Sequence, residues 1–186
     1  ASRACFMVFY GPFARVRPEG SVIQLPWNHS AYRRDLLLGY GPRLEHLLEV
    51  ESLLHWDLVS RGYRLWLAPE ARAYLLNPSR LGPAVVEYYF ASRVFAAGRA
   101  APWIVPHRLL YIFGAPLLPL VRSWRTFRDA RQAGLRTGPS LALLGPAFVL
   151  LCAGAAGEWL GYTFGVGRAS LELAHFEAGR ADIYEP

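Results

Sequence analysis

The chain has 186 residues, 53% of them hydrophobic and 18% charged, with a formal net charge of +6. That length supports a sizeable core, and that apolar content excludes a disordered chain. All 20 basic residues are arginine, which reads either as the codon bias of a GC-rich genome or as phosphate or anionic-lipid contact; the arginines are dispersed and carry no nucleic-acid-binding signature, so nucleic acid is not an expected partner.

Cys5 and Cys152 are far apart, too few and too distant for a disulfide framework or a metal site, and a reducing compartment is the default. No signal-peptide pattern is present. The opening residues Ala1 to Phe6 read as the middle of a domain, so the chain is expected to be part of a longer protein.

Residues 4–10 are a short apolar run ended by Gly11-Pro12, and 11–20 are loop-like. Ser21 to Leu25 suit a short strand. Ser30 is placed to cap a helix running through Leu36 and stopping near Gly39 and Gly41. Val50, Leu53, Leu54 and Leu58 form a helical apolar stripe over about 48–60, with Gly62 where a C-terminal cap belongs. Tyr63 to Leu67 reads as a strand, 71–76 as a second, and 82–99 as a long helix.

Residues 103–121 are hydrophobic but broken by Pro106, Pro116 and Pro119, which suits an interfacial or re-entrant segment better than a straight span. Arg122, Arg125, Arg128 and Arg131 then step by three beside Trp124 and Phe127, the composition of an interfacial helix on an anionic leaflet. Residues 141–157 are apolar. Extended past Glu158 to Phe164 they would cross a bilayer, and otherwise they form a buried or interfacial helix.

Group transfer to a hydroxyl needs a base for that hydroxyl and charges that stabilise the leaving group. Glu49 and Glu51 open the helix at 48–60. Alone, acids there are ordinary helix-start charges stabilised by the dipole. Arg33 and Arg34 suit phosphate contact or a solvated face, and Trp27 and Tyr32 could stack on a sugar. His46, His55, His107 and His175 lack ligand spacing and read as surface or core histidines, while Ser30 and Ser79 lack a nucleophile-elbow context.

The ordered set Ala31-Tyr32-Arg33-Arg34, Glu49-Val50-Glu51, Arg61-Gly62-Tyr63-Arg64 and Pro69-Glu70-Ala71-Arg72 resembles the acceptor-side half of family 2 glycosyltransferases. Gly157-Glu158 and Gly161-Tyr162 resemble a subgroup of that family with hydrophobic C-terminal helices. The resemblance implies an α/β fold: an incomplete GT-A-like, Rossmann-like sandwich over 1–100, lacking its nucleotide-binding half, then a mostly helical membrane-associated region over 101–186.

The resemblance further implies that Glu51 is the catalytic base of an inverting transfer, with Glu49 its helper. Trp27, Asn28, His29, Tyr32, Arg33 and Arg34 are then the substrate-binding residues. The expected partners are a nucleotide-sugar donor, a glycan or lipid-linked acceptor of the cell envelope and an anionic membrane surface. A divalent cation, Mg²⁺ or Mn²⁺, is expected for the complete enzyme, with no metal ligand in this chain. Two positions depart from the family pattern: His29 stands where an asparagine is usual, and Leu75 where a histidine helps hold the metal or diphosphate. Leucine cannot ligate a cation. The implied location is the cytoplasmic membrane, with the catalytic part on the cytoplasmic side. The other reading is a catalytically degenerate membrane-binding module.

Overall fold

Helices dominate the protein. A computed structural model describes residues 2–14, 19–26, 29–71 and 80–179. In chain order the elements are α1 (Ser2–Tyr10), β1 (Gly20–Val22), α2 (Arg34–Leu38), α3 (Arg43–Leu48), α4 (Glu51–Ser60), β2 (Leu65–Leu67), α5 (Leu81–Ala100), α6 (Val105–Gly114), α7 (Leu118–Gln132), α8 (Thr137–Ala142), α9 (Leu144–Phe164) and α10 (Ala169–Ala178). Short 3-10 turns occupy Gly11–Phe13 and Ala115–Leu117. The chain forms two units, one of residues 16–74 and one of residues 1–15 with 75–186.

In the unit of residues 16–74, β1 pairs antiparallel with β2, Gly20 opposite Leu67 and Val22 opposite Leu65. The core is leucine-rich: Leu47, Leu54, Leu58 and Leu65 bury together with Tyr40. The stripe of α4 supplies Leu54 and Leu58, at the helical spacing that puts them on one face. α4 ends as its sequence predicts. Gly62 takes φ +86°, Tyr63 N–H donates to the Leu58 carbonyl and Gly62 N–H to that of Val59, each at 3.0 Å. This pair of bonds satisfies carbonyls that the helix itself leaves open.

This architecture corrects the expected GT-A-like sandwich and the family resemblance that implied it. A Rossmann-like sandwich is a mostly parallel sheet of several strands with helices on both faces. Among the described residues there is one sheet of two antiparallel three-residue strands. Residues 71–76 lie almost wholly outside the described residues. The Ser30 cap is corrected too. The helix starts at Arg34, after an extended Arg33, and has no side-chain cap; Ser30 Oγ instead donates to the Pro26 carbonyl at 3.3 Å.

The other unit is a helical bundle built on α9. Gly154, Gly157 and Gly161 recur at three and four residues and so share one face of that helix. A Cβ on Gly157 would overlap the Tyr89 carbonyl oxygen, one on Gly161 that of Arg93, and one on Gly154 the Tyr88 ring. Glycine therefore lets the backbones of α5 and α9 touch. The contacts climb together, Tyr88 with Gly154, Tyr89 with Gly157 and Arg93 with Gly161, so the two helices run parallel. α7 runs the opposite way. Its Arg122 meets Glu158, while its Ala130 buries with Leu143 and Ala147 at the other end of α9. α1 closes that end, with Ala4 and Met7 in the same cluster and Cys5 against Leu150 and Leu151.

The C-terminal end of α9 is held by arginines. Arg93 Nε donates to the Gly165 carbonyl at 3.1 Å, and Arg108 donates to the carbonyls of Tyr162 and Thr163. Cations here meet both the unpaired carbonyls and the negative end of the helix dipole.

Candidate functional site

Among the described residues, two places bring candidate functional side chains together. The first lies within residues 16–74. Val50, buried and outside the helical region (φ -137°, ψ 83°), separates α3 from α4, so Glu49 and Glu51 do not open one helix. Glu49 ends α3, where it is exposed and stands 3.6 Å from His46 Nδ1. Glu51 is the first residue of α4 and is half-buried.

Tyr32 joins Glu51. Its hydroxyl lies 2.7 Å from His55 Nε2 and hydrogen-bonds with Ser30 and Glu51. Burial, then the charge and hydrogen bond of Glu51, push the Tyr32 hydroxyl up to about 12, with Ser30 opposing. His55 is one helical turn beyond Glu51, fully buried, and burial lowers its pKa. It is therefore a neutral ring that can accept from the Tyr32 hydroxyl, and its Nδ1 has no hydrogen-bond partner. The cluster can hold a proton between a phenol, an imidazole and a carboxylate.

His29 and Arg33 are exposed, as is Arg34. Arg33 forks onto Asp35, with bonds of 2.5 and 3.2 Å, and that contact holds the Asp35 carboxyl below its usual range. Trp27, Asn28 and Leu75 lie outside the described residues. The structure thus brings Tyr32 to Glu51 and leaves Glu49 and Arg33 in other contacts. His55, read from sequence as a surface or core histidine, is the missed member. Its spacing of four from Glu51 on a helix was the available signal.

The second place is the outer face of α6 and α7. Nine large apolar side chains between Ile104 and Trp124 are each at least 45% exposed, among them Leu110, Phe113, Leu117 and Leu120. They follow helical spacing through the intervening 3-10 turn. On α7, Val121, Trp124, Arg128 and Arg131 fall on one face, so the apolar run passes directly into a basic one. Arg125 and Arg131 are exposed, and Arg128 keeps 55% of its side chain in solvent while meeting Asp129 at 3.6 Å. Asp129 is the lone acid between Tyr88 and Gly157.

Arg122 departs from the fan of arginines that its spacing suggests. It turns inward and meets Glu158 at 2.5 Å, with 25% and 3% of the two side chains exposed. Tyr162 donates to the second Glu158 oxygen at 3.1 Å. Beside it, Trp103 stacks on His107 and Tyr162, with ring centroids 4.3 and 5.6 Å apart, and Arg99 lies over the Trp103 and Tyr111 rings. Among the described residues one helical stretch, Thr137–Phe164, is long and apolar enough to cross a membrane by length and composition.

No protein-family model, no curated protein and no solved structure matches the chain. The expected glycosyltransferase is corrected with its fold. Among the described residues there is no nucleotide-binding sandwich and no group of three His, Cys, Asp or Glu side chains that could hold a metal ion. The enzymatic assignment, and with it nucleotide-sugar transfer to an envelope glycan, therefore lacks the scaffold that the resemblance implied.

Proposed function

We infer that the chain is a non-catalytic membrane-associated module that binds an anionic bilayer surface through α6 and α7. The observation that carries this reading is the exposed apolar run from Ile104 to Trp124, continued by Arg125, Arg128 and Arg131. Exposed apolar faces of this extent mark interaction sites. An apolar helix face edged with arginine suits a headgroup layer, where the side chains enter the acyl boundary and the guanidinium groups meet phosphate. Near-absence of acids from this segment removes the repulsion that an anionic surface would otherwise meet. The same arginines favour the cytoplasmic leaflet.

Sedimentation with vesicles tests the reading. The chain should pellet with phosphatidylglycerol-containing vesicles, less with pure phosphatidylcholine, and less again as salt rises. The double variant Leu110→Glu/Phe113→Glu should weaken binding by at least about tenfold, since each buried apolar side chain contributes about 1.5–3 kcal/mol. Undiminished binding by that variant would overturn the assignment of the face.

A further inference from the structure

We propose that the module docks on a single leaflet, with α9 remaining a core helix of the protein rather than a transbilayer span. The proposal rests on the membrane-surface reading and specifies its geometry. Taken alone, α9 qualifies as a span, and its outward Phe148, Val149 and Trp159 are apolar. Its neighbours decide otherwise.

α7 lies antiparallel along α9, fixed at one end by Arg122 on Glu158 and at the other by Ala130 against Leu143 and Ala147. Arg125, Arg128 and Arg131 belong to that same stretch of α7. Arg125 stands alongside the middle of α9, Arg128 nearer its N-terminal end and Arg131 at that end, and all three are exposed. A transbilayer α9 would carry the exposed Arg125 guanidinium, and the Arg128–Asp129 pair beside it, into hydrocarbon, a cost that its outward apolar residues do not offset.

In-plane docking has no such conflict. The α6–α7 face meets the acyl boundary, and the three arginines stay at headgroup level. Arg108, bonded to the last carbonyls of α9, ties α6 to the core helix so that the apolar face is held outward.

The two ends of α9 report the answer. Gly138→Cys and Val166→Cys lie just outside it; Gly138 has open space for a side chain, and Val166 is exposed. Each is placed singly in the chain carrying Cys5→Ala and Cys152→Ala. Sealed inside-out and right-side-out membrane vesicles from expressing cells are treated with a membrane-impermeant maleimide. Single-leaflet docking labels both positions in one vesicle orientation and neither in the other. Labelling in opposite orientations overturns the proposal and leaves membrane association standing. Recovery of the unmodified chain in a high-salt supernatant without membranes overturns the association itself, and the proposal with it. A second pair, Thr137→Cys and Arg168→Cys, at exposed positions, must give the same pattern.

Discussion

His55 is a buried imidazole with one nitrogen on the Tyr32 hydroxyl and the other without a partner. Burial holds its pKa below the ordinary 6.5. Below about pH 6.5 the unfolded chain therefore binds a proton that the folded chain resists, and stability falls as pH drops toward the folded value. The opening free energy of α4, from amide exchange corrected for its intrinsic pH dependence, should fall as pH drops below about 6.5, and His55→Gln should flatten that dependence. A slope that survives the substitution would assign the effect to another group. Arg122 and Glu158 make the second residue-scale case. Removing one partner strands a buried charge, so Glu158→Gln or Arg122→Met should each destabilise the bundle by about 3–5 kcal/mol. The double change Arg122→Met/Glu158→Leu should recover most of that loss in thermal unfolding. Equal losses in the single and double variants would mean that the site needs the polar atoms for packing rather than for charge balance.

At the level of elements, the α5–α9 contact depends on absent side chains. Gly157→Ala drives a Cβ into the Tyr89 carbonyl oxygen, and overpacking of this kind costs about 1–3 kcal/mol. Gly114→Ala at the end of α6 meets open space and should instead stabilise by up to about 1 kcal/mol through helix propensity. Melting temperatures of the two variants should move in opposite directions; a common direction would contradict the close backbone crossing. Several helices were legible in the sequence because their signals are local, though α1 read only as an apolar run and α10 was not read. The leucine stripe and Gly62 marked α4, 82–99 read as one long helix that became α5, and the apolar run to Phe164 marked α9. The strands were legible only as segments. Gly20–Val22 and Leu65–Leu67 do form strands, but a short strand says nothing of how many partners share its sheet. The order of strands and helices over 25–80 therefore suggested a sandwich that the described residues do not build.

For the whole molecule, the two membrane experiments separate two questions. Vesicle binding and its salt dependence ask whether the α6–α7 face meets lipid, and the labelling pattern asks whether α9 crosses it. The energetic difference is large. An arginine at the centre of a span costs about 2.5–3.5 kcal/mol, whereas an outward Phe or Val returns about 0.3–0.6, so Arg125 beside the middle of α9 alone outweighs the outward Phe148 and Val149. By itself the sequence determined the arginine-rich composition, the helices that carry it and the apolar runs on either side, because spacing and capping act within a few residues. Tertiary structure alone decided that Arg122 turns in toward Glu158 while Arg125, Arg128 and Arg131 face out. It also decided that α9 is wrapped by α5 and α7 and that Tyr32 reaches His55. Each of these joins residues far apart in the chain, and only packing of the complete fold chooses among the many pairings that local periodicity allows.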